Sequence, residues 1–161
     1  MIAFDPVENE DKANEIGFEY CPLDALLTDS DIISLHCPLN DSSYHLLNDQ
    51  TIAKMKHAVM IINTSRGGLV DTQSLIRHLK SGKIAHLGLD VYEQESELFF
   101  EDHSDSIIQD DIFQRLLTFP NVLITGHQGF FTQEALAQIA ITTITNLNLF
   151  ATEKPNDNEL S

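Results

Sequence analysis

Two continuous apolar runs, IISLHC at 32–37 and AVMIINT at 58–64, constrain the fold of this chain more than any other feature. A strand with one face in water alternates apolar and polar residues, so a run without alternation reads as a strand covered on both faces, which is the habit of parallel sheets. Between the two runs, QTIAKM reads as a short helix. After the second, VDTQSLIRHLKSGK predicts a helix with Asp71 as its N-cap and Gly82 as its stop, and Leu75, Ile76 and Leu79 share one face. The alternation extends in both directions. IAFD reads as a strand, ENEDKANEIG as a polar helix ending at Gly17, FEYC as a short strand and LDALL as a helical turn. Further on, IAHLGLDVY and NVLITGH read as strands, and TQEALAQIAITTITNLNLFATE as a long helix capped by Thr132. Strands and helices in this order demand a parallel sheet with right-handed crossovers, and the fold class is α/β.

Length and charge narrow the functions available. A chain of 161 residues with 42% hydrophobic content is long enough for one domain with a core, burying about 70% of the surface its unfolded form exposes. Lys and Arg number 9 against 25 Asp and Glu, for a formal charge of -16; long-range repulsion then disfavours nucleic acid as a partner. No apolar stretch approaches the ~18 residues of a membrane helix, and the N-terminus lacks a secretory leader, so a cytoplasmic protein with no membrane partner is expected. Cys21 and Cys37 fit neither a disulfide framework nor a metal knuckle. His36, His45, His57, His78, His86, His103 and His127 do not pair with acids at ligand spacing, and no metal site is expected. Two segments depart from the alternation: a long acidic connection from Glu93 to Asp111, carrying Phe99 and Phe100, and the polar tail NDNELS. Connections of this length are usually functional or mobile.

In an open parallel sheet, ligands bind at the carboxyl ends of the strands. The residues found there are Asp5, then His36 with Cys37 and Pro38, then NTSRGG around Arg66, then Asp90 with Glu93 and Glu95, and finally His127. Taken singly, each suits a turn or a cap. As a set they suit one chemistry: an arginine fork binds a carboxylate bidentately, and a histidine beside a carboxylate can hold and deliver a proton near neutral pH. Arginine, glutamate and histidine together suit reduction of a 2-oxo acid.

The runs LHCPLN, INTSRGGLVD, LGLDVYEQE and ITGHQGFFTQEAL resemble, in that order, the D-isomer-specific 2-hydroxyacid dehydrogenases, and FFEDHSDSIIQDDIFQRL with TGHQ is similar to their fermentative D-lactate dehydrogenase branch. The resemblance implies catalytic roles for Arg66 (binding and polarising substrate), His127 (proton donor) and Glu95 (holding the histidine), whereas Glu93 is off the family pattern. It implies NAD as cofactor, with Asp5 on the adenosine ribose and Cys37, Pro38, Ser43, Thr64, Ser65 and Asp90 along the rest of the cofactor. Ser43 stands where such proteins often carry threonine or asparagine.

The resemblance also implies an organisation. Residues 1–131 would be a partial NAD-binding domain, 132–152 a helix that returns to the substrate domain, and 153–161 a tail. The glycine-rich phosphate turn lies about 20 residues before the ribose acid, so a truncated Rossmann-like sheet lacking its first βα unit is expected. A separate N-terminal half or a homo-oligomer would complete it. Positioning can supply roughly 7 to 11 kcal/mol of a barrier, so little activity and no better than roughly millimolar NADH binding are expected of the chain alone. A non-catalytic remnant and an NAD-sensing, corepressor-like module are the alternative readings.

Overall fold

The computed structural model describes residues 1–94 and 108–159. They form two compact units, 1–127 and 128–161. This boundary falls a few residues ahead of the 131/132 division expected from sequence.

In the first unit, β1 (Ile2–Ala3), α1 (Glu10–Ile16) and β2 (Glu19–Tyr20) make a βαβ turn whose two strands pair in parallel. Asn9 caps α1 by accepting from the Lys12 N–H, and Gly17 ends it in the left-handed region at φ 83°, where glycine meets no Cβ penalty. After α2 (Leu23–Asp29), a second sheet holds four parallel strands in the order β3 (Ile32–Leu35), β4 (Val59–Asn63), β5 (Ile84–Leu89) and β6 (Val122–Ile124). The helices α3 (Asp49–Lys54), α4 (Thr72–Lys80) and α5 (Asp111–Leu117) connect them. The expected parallel α/β architecture is present, divided into a two-stranded and a four-stranded sheet.

Each element has a local cause. Asp71 caps α4 by accepting from the N–H groups of Gln73 and Ser74, as its place in the sequence predicts, and Gly82 at φ 75° turns the chain out of the helix. Leu75 and Leu79 are buried in one core with Leu27, Ile33, Leu35, Ile52, Val59, Ile61, Ile84, Leu87, Leu89 and Leu116. Fully burying side chains of this size contributes about 1.5–3 kcal/mol apiece, so helices and sheet hold each other in place.

Two expectations need correction. The run at 32–37 predicts a strand covered on both faces, but β3 ends at Leu35, and Ile32 and Ser34 are exposed while Ile33 and Leu35 are buried. One face of β3 packs on the core and the other meets water. The sequence assigns no helix between the acidic connection, which ends at Asp111, and the strand NVLITGH, whereas α5 begins at Asp111; Asp110 accepts from the N–H groups of Ile112 and Phe113 to start it. Phe99 and Phe100 lie outside the described residues.

The second unit is built around α6 (Gln133–Ala151), capped by Thr132, whose hydroxyl accepts from the Ala135 N–H at 3.1 Å. Among the described residues, no helix is long and apolar enough to cross a membrane.

Candidate functional site

Register fixes the site before any side chain does. Leu35 pairs with Asn63, Asn63 with Leu89, and Leu89 with Ile124. The four strands of the second sheet therefore end level, and the chain leaves them at Cys37, Thr64–Arg66, Asp90 and Thr125–His127 along one rim. The Asp90 N–H donates to the Asn63 carbonyl at 2.9 Å, and the Thr125 N–H donates to the Leu89 carbonyl at 2.9 Å. These bonds carry the ladder one step past the strands. Thr125 Oγ1 donates to Asp90 Oδ1, joining the ends of β5 and β6 through side chains.

At the end of β4 the turn is held from inside. Asn63 is 1% exposed; its Oδ1 accepts from the Ser65 N–H at 3.1 Å and its Nδ2 donates to the Arg66 carbonyl at 2.9 Å. Ser65 Oγ donates to the Cys37 carbonyl at 2.7 Å, tying this turn to the exit of β3. Arg66 is exposed, and its Nη1 donates to the Ser65 carbonyl at 2.7 Å. The rest of the guanidinium faces outward from a fixed base, which suits capture of an anion.

Gly67 explains why this turn lies where it does. A Cβ there would come 2.1 Å from the Tyr92 carbonyl carbon and 2.4 Å from the Glu93 nitrogen. Only glycine lets the turn after β4 cross so close to the exit of β5. Tyr92 is itself held, donating from its hydroxyl to Asp110 Oδ2 at 2.6 Å. Burial, reinforced by that bond to a carboxylate and by the charge of Asp110, pushes the Tyr92 phenol far above its ordinary range.

The remaining sequence candidates divide. Asp5 is exposed just after β1 and accepts from the Val7 N–H at 2.8 Å. Cys37 is half-buried, and burial, with the negative charge of Asp5 adding to it, pushes its thiol up. Pro38 and Thr64 are exposed on the rim. Ser43 is 8% exposed, and its hydroxyl is engaged by its own loop: it donates to the Pro38 carbonyl at 2.7 Å and accepts from the Asn40 N–H at 2.9 Å. His127 is half-buried, with its Nδ1 shielded from solvent, and takes a left-handed backbone conformation at φ 53°. Non-glycine residues in this region are uncommon and gather where function over-determines the backbone. Glu95 lies outside the described residues.

Sequence reasoning passed over two residues here. Asn63 reads as the polar end of an apolar strand, and its signal is being an amide where the strand needs nothing polar. Glu93 reads as off-pattern, yet its Oε1 is 2.7 Å from Nε2 of His45, a residue far away in sequence. No local periodicity reveals such a pair.

As a donor set, the rim fits a dinucleotide that carries no 2'-phosphate. An exposed carboxylate at the end of β1 can accept from ribose hydroxyls, and Asp90, half-buried at the end of β5, can accept from an amide.

The sequence pattern described as "D-isomer specific 2-hydroxyacid dehydrogenase, NAD binding domain" matches residues 1–129. The chain is similar to D-lactate dehydrogenase of Escherichia coli (strain K12), with 52% identity over 160 residues, covering 99% of this chain and 48% of the relative. It is also similar to D-lactate dehydrogenase kk1H of Curvularia clavata, with 51% identity over 160 residues, covering 99% and 45%. Among solved structures, one described by the identification of the pyruvate reductase of Chlamydomonas reinhardtii superposes with a TM-score of 0.89 at 45% identity, covering 98% of this chain and 48% of that one. The apo-structure of D-lactate dehydrogenase from Escherichia coli superposes with a TM-score of 0.82 at 46% identity, covering 100% and 46%. The chain spans about half the length of the curated relatives it matches.

Proposed function

Because the chain belongs to the D-isomer-specific 2-hydroxyacid dehydrogenase family through that family's NAD-binding domain, we propose that it serves the NAD-dependent interconversion of a small 2-oxo acid, such as pyruvate, and its D-2-hydroxy acid. The observation that carries the reading is the level ending of β3, β4, β5 and β6, which gives Arg66, Asp90 and His127 neighbouring places on one rim.

NADH, when bound, supplies a hydride to the carbonyl carbon of the substrate. Asp5 meets the adenosine ribose, and its charge repels a 2'-phosphate, which favours NAD over NADP. Cys37, Pro38, Thr64, Ser65 and Asp90 would hold the rest of the cofactor. Ser43 supports them by shaping the loop after β3, since its hydroxyl is engaged within the loop. Arg66 holds the substrate carboxylate with its fork and polarises the carbonyl. His127, in its protonated form, gives its proton to the carbonyl oxygen as the hydride arrives, and Glu95 holds the imidazolium.

The substrate-facing wall comes, in this reading, from residues beyond this chain or from a second copy. In that arrangement α6 lies against the substrate domain. The charge of -16 and the two free cysteines fit a protein of the cytoplasm.

The test is NADH oxidation with pyruvate, followed at 340 nm, for the chain alone and for the chain mixed with the N-terminal half of the Escherichia coli relative. Turnover in the mixture, with the reverse reaction accepting D-lactate and refusing L-lactate, supports the reading. No turnover in either, with NAD bound at micromolar affinity, favours an NAD-sensing module instead.

A further inference from the structure

The turn that carries Arg66 is gripped from outside by a histidine–carboxylate pair that the scheme above does not use. His45 Nε2 and Glu93 Oε1 are 2.7 Å apart, with side chains 29% and 26% exposed. The other Glu93 oxygen, Oε2, accepts from both the N–H and the hydroxyl of Thr72, at 3.1 and 2.6 Å. One carboxylate thus joins the exit of β5, the first residue of α4 and the loop after β3.

The turn runs inside this ring. The His45 N–H donates to the Gly68 carbonyl at 2.8 Å, and the Leu47 N–H to the Leu69 carbonyl at 3.0 Å, so the strap 45–47 lies along the segment just after Arg66. On the other side, Gly67 packs directly against the Tyr92–Glu93 peptide. Tyr44 stacks on the His45 ring, with centroids 3.9 Å apart. His45 also sits at φ 49°, a conformation that is uncommon in a non-glycine residue and persists only where surroundings enforce it.

We propose that His45 and Glu93 are positioning residues for Arg66: their pair closes a clamp around Gly67 and Gly68 and so fixes the base from which the guanidinium meets the carboxylate of its ligand. The second half of this statement rests on the reading of Arg66 as the carboxylate fork. The clamp itself does not.

Two measurements keep these apart, the first on the purified chain and the second on the chain mixed with the N-terminal half of the Escherichia coli relative. The first is hydrogen exchange of the Leu69 and Val70 amides, which donate to the Arg66 and Gly67 carbonyls, in wild type, His45→Ala, Glu93→Ala and Glu93→Gln. Both alanine variants should exchange at these amides about tenfold faster or more, with β4 and β5 unchanged. Glu93→Gln, which keeps one carbonyl oxygen as acceptor for Thr72 and turns its amide N–H towards a His45 Nε2 in the accepting tautomer, should recover most of the protection. The second is affinity for oxamate, a carboxylate analogue of pyruvate, by calorimetry in the presence of NADH. The alanine variants should bind about tenfold more weakly, and the glutamine variant should fall between.

Unchanged exchange in both alanine variants overturns the clamp, as does acceleration spread through the whole sheet, which marks a general support of the fold. Faster local exchange with unaltered oxamate affinity overturns the positioning role. Faster local exchange in the chain, with no oxamate bound by the wild-type mixture, upholds the clamp and removes the assignment of Arg66.

Discussion

Asn63 and Arg66 are joined by a side-chain bond that closes the turn after β4: the Asn63 Nδ2 donates to the Arg66 carbonyl at 2.9 Å. The same amide accepts from the Ser65 N–H, so both of its polar ends are used. Replacing it with alanine leaves the Ser65 N–H unpaired and the Arg66 carbonyl with the Leu69 N–H alone, at about 1–3 kcal/mol for a group left without its partner. Asn63→Ala should lower stability by about 3 kcal/mol in urea unfolding and weaken oxamate binding. A loss below about 1 kcal/mol would mean that water replaces both bonds without strain.

Gly67→Ala should be worse tolerated than any surface change. The added methyl group meets backbone rather than a movable side chain, at 2.1 Å from the Tyr92 carbonyl carbon, and overpacking of this kind costs about 1–3 kcal/mol or more. The thermal midpoint should fall by about 5 °C or more, read by circular dichroism.

Asp71 gives a pH signature. Burial works to raise its pKa, but the hydrogen bonds from the Ser74 side chain and from the Ser74 and Gln73 N–H groups outweigh it, and the carboxyl is held below its ordinary value. A carboxyl depressed in the folded state adds stability in full above its unfolded pKa, about 3.9, and loses it as pH falls through the folded value. Asp71→Ala should cost about 1 kcal/mol at pH 7 as a lost cap. The gap between variant and wild type should narrow in melts below pH 4, and a constant gap would separate the cap from its charge.

Arg66→Lys keeps the positive charge and loses the fork. In the assembled enzyme it should raise KM for pyruvate and lower kcat together, while the melting temperature stays put because the guanidinium is exposed. An unaltered KM would show that the substrate carboxylate is held elsewhere.

His127→Gln should lower kcat for pyruvate reduction by ~10²- to 10⁴-fold if the imidazole is the proton donor. Its left-handed backbone, φ 53°, makes a control worth running: His127→Gly relieves the conformation and removes the proton donor, so it should be as slow as the glutamine variant without a loss of stability from strain.

The succession of strands and helices, the helix caps at Asp71 and Thr132 and the glycine stops at Gly17 and Gly82 were legible in the sequence because each depends on neighbours within a few residues. The family follows from motifs in sequence, and the rim from the rule that parallel strands end together. Three things were not legible. The burial of β3 depends on what covers each face of the sheet, and that is a property of the whole fold: one open face exposes Ile32 and Ser34 in a run that looks uniformly buried. The Glu93–His45 pair depends on three loops meeting, and only the folded register brings them together. Helix α5 was obscured by the acidic composition ahead of it, although Asp110 signals its start.

The solvent-facing edge of the four-stranded sheet has a colloidal consequence. Ile32 on β3 is 60% exposed, and its strand has a hydrogen-bonded neighbour on one side only, a form that invites pairing with other chains. At neutral pH and low salt, the charge of -16 keeps such edges apart. Titrating towards the isoelectric point near 4.5, or adding enough salt to shorten the Debye length to about 3 Å, removes that barrier while the chain is still folded. Turbidity should then appear before unfolding does, and Ile32→Lys should shift its onset without altering the melting curve.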